Sequence, residues 1–389
     1  MPSRFGSRGR RFRHRATAAL TALAAGILMV TGGPAGATAQ PQAQRQFTAM
    51  TQNLYLGTNL TPLFGVSGPA LVVAATQVYA QVGLTDFPDR ATAIAAEIAS
   101  EAPDVVGLQE VALWKKGPDP AHLTTTYDFL ATLEDALADV GAPYRAVAVN
   151  VNFNPSLLVP FGALPILDPA GPGGLSWVSF TDRDAILVRS DLPVSQLQWS
   201  NPTSQNFQAT IPVSVNGGTI HVPRGWSTVD VKFRGKSYRV ANTHLEAYSA
   251  AVRNLQGQEL AGVLAASPLP VVLLGDLNSR PTDATGPYPD LIAGGFVDSW
   301  PEAMDGNPGF TSGQSDAPPD PLDCSRPSTI DHRIDFVLHT AGGSLRAVDG
   351  TGDVVGESPS DCTVPGPLGY PLWPSDHAGV AMTLHIGQP

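Results

Sequence analysis

Eight side chains of the kinds that hydrolytic centres use stand at the tips of short apolar runs: Asn53, Glu110, His244, Asp276, Asn278, Asp335, Asp376 and His377. Carboxylates and amides offer hard oxygen ligands, which suit Mg²⁺ with one or two carboxylates and several retained waters. An imidazole whose second nitrogen is held by a carboxylate has a fixed tautomer and a raised pKa, so it cycles a proton near neutrality. Together such groups can neutralise phosphoryl oxygens, deprotonate water and protonate a leaving oxygen. Taken singly, each has a plainer alternative as a solvated strand-end carboxylate or a structural histidine.

The order within each run indicates the sheet that must carry it. In Phe47–Asn53, Asp104–Glu110, Tyr238–His244 and Val271–Asp276 the polar residue closes the run, as at the carboxyl end of a strand. In the runs opening at Arg333-Ile334-Asp335 and Ser375-Asp376-His377 it comes first. If all these groups meet, the first four strands run opposite to the last two and the sheets are mixed. That excludes a doubly wound dinucleotide fold, whose sites gather at carboxyl ends only; no glycine-rich phosphate fingerprint follows the first strand.

Between the strands, Arg90–Ser100 has helical spacing and high helix propensity, and Tyr127–Val140 and Ala250–Ala266 read as further helices. Asn150–Thr181 and Asp305–Thr329 read as long irregular segments, the first apolar, the second polar and proline-rich. The expected fold class is α/β, a layered α/β sandwich with two packed mixed β-sheets flanked by helices.

Gln52-Asn53, Leu108-Gln109-Glu110, Asn242-Thr243-His244, Gly275-Asp276-Leu277-Asn278, Arg333-Ile334-Asp335 and Ser375-Asp376-His377 follow one another in an order that resembles the endonuclease/exonuclease/phosphatase superfamily. That superfamily includes deoxyribonuclease I-like nucleases, abasic-site endonucleases, inositol polyphosphate phosphatases and bacterial sphingomyelinases. The resemblance covers essentially the whole chain after its first 39 residues. It implies Glu110 as the principal metal ligand, with Asn53 beside it and Asp376 as a second metal or water-network ligand. It implies His377 as general base, oriented by Asp335, with Asp276 and Asn278 positioning water and phosphate. His244 matches the histidine that bonds a phosphoryl oxygen and helps protonate the leaving group. Arg183, in Asp182-Arg183-Asp184, either holds a phosphate oxygen or makes a surface ion pair. Arg253 and Gln256 sit three apart on one helix and share a face. Asp331 and His332 belong to the adjoining loop, and His221, His339 and His385 read as structural or exposed. The cofactor implied is Mg²⁺, with Mn²⁺ or Ca²⁺ as substitutes.

Residues 1–39 carry six arginines, an apolar stretch from Ala16 to Val30 and small residues at Ala35-Gly36-Ala37 and Ala37-Thr38-Ala39, the order of a secretory signal. Residues 40–389 then form one catalytic domain, and the expected location is extracellular. Losing the six arginines takes the formal charge from −11 to −17, which gives no footprint for broad polyanion binding. The two cysteines, Cys324 and Cys362, are expected to pair, tying together the loops that lead to Asp335 and Asp376. These features favour a phospholipase C or sphingomyelinase type of phosphodiesterase, with the apolar Leu157–Leu167 stretch either touching a membrane surface or folding onto its own core. An extracellular nuclease is the alternative, and a non-catalytic binding protein is the alternative of another class. No obligate protein partner is evident.

Overall fold

A computed structural model describes residues 46–387, apart from 156–161, 319–320 and 342–344. The signal-like segment and residues 157–161 of the Leu157–Leu167 stretch lie outside the described residues. In chain order the elements are β1 (Gln46–Asn53), α1 (Gly68–Leu84), α2 (Phe87–Glu101), β2 (Val105–Gln109), β3 (Leu113–Gly117), β4 (Thr124–Asp128) and α3 (Phe129–Asp139). Then come β5 (Tyr144–Phe153), β6 (Leu164–Leu167), β7 (Leu175–Arg189), β8 (Leu197–Asn206), β9 (Ile211–Val215), β10 (Gly218–Val222), β11 (Gly225–Phe233) and β12 (Lys236–His244). The chain closes with α4 (Ala250–Ala265), β13 (Val271–Asp276), α5 (Pro287–Ala293), β14 (Phe296–Asp298), α6 (Ser299–Ala303), β15 (Asp335–Thr340), β16 (Leu345–Ala347), β17 (Asp353–Val355) and β18 (Gly379–Ile386).

Two mixed sheets result. One runs β16-β18-β1-β2-β7-β3-β4, with β17 beside β18 and with β5 and β6 beside β7; the other runs β14-β15-β13-β12-β11-β8. Strands β1 and β2 are parallel, as are β12 and β13, whereas β18 runs antiparallel to β1 and β15 antiparallel to β13. This is the direction pattern that the placement of polar residues demands.

The sheets pack face to face through Phe47, Val105, Ile186, Val229, Phe233, Val240, Val272, Leu274 and Met382. Helices α2 and α3 cover the outer face of the first sheet with Ile94, Ile98, Phe129 and Leu133, and α4 covers that of the second with Leu260 and Leu264. Each layer buries one apolar face, so the arrangement is helix, sheet, sheet, helix. A polar tie crosses the centre: the Gln109 amide donates to Asn242 Oδ1 at 2.6 Å, and the Asn242 amide donates to the carbonyls of Leu108 and Ala185. Gly107 leaves the room for it, since a Cβ there would lie 2.6 Å from Asn242 Oδ1. Among the described residues no helix is long and apolar enough to cross a membrane.

Two expectations need correction. Asn150–Thr181 is not an irregular loop: it holds the end of β5, all of β6 and the start of β7. Its alternation is inverted, with Asn150 and Asn152 buried while Val149 and Val151 face outward, so the pattern does not read as a strand. The helix expected from Tyr127 starts at Phe129, because Tyr127 and Asp128 still pair with β3 and the Asp128 carboxylate caps the helix by accepting from Leu130 N and Ala131 N. Helix α1, rich in alanine and valine, carries no polar face that would mark it in the sequence.

Cys324 and Cys362 form a disulfide, Cα–Cα 6.3 Å. It joins two segments that also pair directly, Cys324 N donating to Pro371 O and Trp373 N to Leu322 O. Tyr55, Leu322, Leu372 and Trp373 form a small core beneath it. The bridge spans 38 positions, so replacing both cysteines by serine should cost about 4 kcal/mol of stability through the freed unfolded chain. Urea unfolding of the double variant with and without reductant checks this; a wild type indifferent to reductant would contradict it.

Candidate active site

The catalytic set converges because the register aligns it. His244 pairs with Asp276, and Asp276 with Asp335, so three functional residues stand in a row across the second sheet. On the facing edge of the first sheet, Asn53 pairs with Gln109, one residue before Glu110. Glu110 and Asn278 both adopt left-handed backbone, with φ 54° and 47°. For residues with a Cβ that conformation costs on the order of 1–3 kcal/mol and clusters at functional sites.

His377 and Asp335 make a dyad. His377 Nδ1 lies 2.9 Å from Asp335 Oδ2, which also accepts from the Thr311 hydroxyl at 2.6 Å. Thr311 is held in turn by the backbone N–H groups of Ile334 and Asp335. Burial works against a charged imidazole, but Asp335, Asp376 and Asp276 outweigh it and raise the His377 pKa well above its usual value. Nε2 is left facing the Ser312 hydroxyl at 3.5 Å, the nitrogen that can take a proton from water.

Asp276 is the hub between dyad and histidine. Its Oδ2 accepts from the Asn53 amide at 3.3 Å and lies 3.4 Å from His244 Nε2, while Oδ1 accepts from Asn278 N at 2.9 Å. Burial first, then Asp335, push it up to about 7. One ligand atom each of Asp276, Asp335 and His377 lies within 4.8 Å of the others. His244 is buried, with Nδ1 3.1 Å from Arg224 Nη1 and Nε2 3.2 Å from the Asn278 side-chain amide. Burial, Arg224 and His377 all lower its pKa. It is therefore a neutral imidazole, placed beside Asp276 where a phosphoryl oxygen would be bonded.

On the other side Glu110 Oε2 accepts from Leu56 N at 2.8 Å. Burial pushes its pKa up to about 8, aided by Asp376 and Asp182. Asp376 is raised to about 6 by burial and by Asp316. Buried carboxylates that feel one another's charge, with oxygen donors only, fit a hard divalent cation, whose charge would oppose each shift. Asn53 Oδ1 already accepts from Tyr55 N at 2.9 Å, so it offers a cation its remaining lone pair.

Arg183 does not face this site. Its guanidinium donates to the carbonyls of Val111 and Ala112 and pairs with Asp128 at 2.6 Å, so the ion-pair alternative holds, partly buried rather than on the surface. Alternation along β7 sends its neighbours Asp182 and Asp184 the other way, both onto the Asn152 amide. Arg253 and Gln256 brace the loop after His244, Arg253 donating to the carbonyls of Glu246 and Ala247 and Gln256 accepting from Glu246 N. His332 pairs with Asp331 in the loop beside Thr311.

Sequence reasoning missed Arg224, Thr311, Asp316 and Arg90. Arg224 links Asp182 to His244 from the residue before β11. Arg90, fully buried on α2, donates to the carbonyls of Thr85, Leu54, Tyr55 and Pro374. It thereby fixes both the turn after Asn53 and the approach to Asp376. An arginine within an alanine-rich helix gave no sign of this; its only signal was being the one base in that helix. Arg90→Met should cost at least about 3 kcal/mol, because four carbonyls lose charge-assisted partners. An unchanged urea midpoint would refute that.

A family model described as Endonuclease/Exonuclease/phosphatase family matches residues 50–377, the span from β1 to the catalytic dyad.

The chain belongs to this family.

Members of the Endonuclease/Exonuclease/phosphatase family are hydrolases acting on phosphoesters, generally with a divalent metal. Among solved structures, a mannosyl-6-phosphatase from Bacteroides thetaiotaomicron is similar, with 17% identity, TM-score 0.52, and coverage of 87% of this chain and 99% of that one. A family protein from Leptotrichia buccalis is 13% identical at TM-score 0.53, over 87% and 99% of the two chains. One from Bacteroides vulgatus is 16% identical at TM-score 0.52, over 88% and 99%. These likenesses support the fold. No curated protein matches the chain.

Proposed function

We propose that the protein is a secreted, divalent-cation-dependent phosphodiesterase of the phospholipase C type. The observation that carries the chemistry is the His377–Asp335 dyad, 2.9 Å apart, which bridges the two sheets at the end where Glu110 follows β2 and Asp376 precedes β18. Glu110, Asp376 and Asn53 would hold the cation, which when bound supplies Lewis-acid stabilisation of the phosphoryl oxygens. His377, oriented by Asp335, takes the proton of the attacking water. His244 and Asn278, in contact with each other at 3.2 Å, position the phosphoryl group, and Asp276 keeps the two histidines in register.

The lipid reading rests on the signal-like leader, the net negative charge, and an exposed aromatic ring on the loop that follows His244. Tyr248 there is 60% exposed and packs edge-on against Phe64, from the loop after β1, at 5.9 Å. An amphipathic ring at such a place suits a membrane–water boundary. The described part of the apolar stretch, β6, pairs with β7 and leaves Leu167 exposed.

Purified mature protein is incubated, with Mg²⁺ or with chelator, against sphingomyelin, glycerophospholipids, linear DNA and RNA. Chelator-sensitive release of a phosphorylated head group supports the proposal. Cleavage of nucleic acid alone establishes the nuclease reading, and silence on every substrate returns the binding-protein alternative.

A further inference from the structure

A groove of about 690 Å³ runs between α2 and the segment 353–364, apart from the catalytic residues. Glu97 lines it from α2. Its side chain is more than nine-tenths buried, and among the described residues neither carboxylate oxygen has a hydrogen-bond partner. The same groove is lined by Glu101 on that helix and by Asp353, Glu357 and Asp361 on the facing segment. Every charge felt by Glu97, Glu101 and Glu357 is another carboxylate: Asp361 acts on Glu97, Asp353 on Glu101, and both on Glu357. Burial raises all three pKa values before those neighbours add to it.

An unpaired buried carboxylate costs several kcal/mol unless something neutralises it. A proton on Glu97 would relieve that residue alone and leave Asp353 acting on Glu101, and Asp353 and Asp361 on Glu357. The facing loop is also shaped to approach the carboxylate. Gly356 has φ 84°, and a Cβ there would lie 3.2 Å from Glu97 Oε1. Asp361 organises that loop by accepting from Gly356 N and Ser358 N, each at 3.1 Å. The one sulfur in the lining, that of Cys362, is committed to the disulfide, so the donors are oxygen only. An all-oxygen set on an irregular loop suits Ca²⁺, which takes six to eight ligands in flexible geometry, better than Mg²⁺, which demands a near-ideal octahedron.

We propose that Glu97, with Asp361 and the carboxylates beside them, forms a structural Ca²⁺ site that clamps the 353–361 segment onto α2. The site owes nothing to the substrate reading above. Its place in the chain gives it a consequence for the whole molecule, because the clamped segment leads through Cys362 to the loop that ends in Asp376 and His377.

The test removes the catalytic cation first. In the Glu110→Gln variant, freed of metal by chelator, Ca²⁺ should give a saturable rise in Tm of roughly 3–6 °C. Adding Glu97→Gln should abolish that rise while leaving the metal-free Tm equal or higher, since a buried charge has gone. A rise that persists unchanged with Glu97→Gln, or no rise in Glu110→Gln itself, overturns the proposal; the latter is the result expected if Glu97 is simply a protonated acid. Should Glu97→Gln fail to fold, Glu357→Gln on the exposed rim should move the Ca²⁺ midpoint several-fold upward, and an unmoved midpoint counts against the site.

Discussion

His377→Ala is expected to lower kcat by about 10²–10⁴, the usual contribution of a positioned general base. The prediction rests on the way the imidazole is held. One nitrogen is fixed by Asp335 at 2.9 Å, Asp335 is fixed by Thr311 at 2.6 Å, and the remaining nitrogen faces the site. Asp335→Asn keeps a hydrogen bond at Nδ1 but removes the negative charge that outweighs burial in raising the His377 pKa. The sign follows directly. The base works when neutral, so activity climbs as pH rises through its pKa. Lowering that pKa moves the acid limb of the profile to lower pH while the maximum rate falls. A pH–rate profile of both variants decides it. A loss below about tenfold in His377→Ala, or an acid limb that stays in place in Asp335→Asn, would remove the dyad from the mechanism.

Much of this arrangement was legible because chemistry and topology share a signature. A polar residue closing an apolar run marks a strand's carboxyl end, and one opening a run marks its start. Asn53, Glu110, His244 and Asp276 against Asp335 and His377 therefore encoded mixed sheets before any coordinates. What was not legible came from residues whose partners are distant and backbone-borne. Arg90 bonds four carbonyls, the farthest at Pro374, and backbone carbonyls carry no sequence identity. Arg183 carried two readings, a phosphate ligand suggested by the family resemblance or an ion pair, and its contact is the pair with Asp128. Period-two alternation placed its neighbours Asp182 and Asp184, not the arginine, on the side facing Asn152. Strand β5 hid for the opposite reason: its buried face carries Asn150 and Asn152, which serve the polar interior behind Arg224 and Asp182, so an apolar-inward rule reads it as loop.

Glu110→Gln is expected to abolish metal-dependent turnover, a loss of at least about 10³-fold if the cation contributes several kcal/mol to the transition state. Stability should move the other way. Without metal, burial together with Asp376 and Asp182 lifts the Glu110 pKa from an ordinary 4.5 to about 8. A carboxyl whose folded pKa is raised favours folding while protonated, so metal-free wild type loses stability as pH climbs from about 4.5 to about 8. Glutamine cannot ionise, and the variant should lack that slope and match or exceed the chelated wild type near pH 8. Adding Mg²⁺ should reverse the ranking, because the wild type gains a bound cation and the variant does not. Paired urea titrations at pH 5 and pH 8, with Mg²⁺ and with chelator, separate the two contributions. Recovery of the wild-type rate by raising Mg²⁺ alone would show that Glu110 is not the principal ligand. A variant less stable than chelated wild type at pH 8 would show that the carboxylate cluster is held together by something other than the cation.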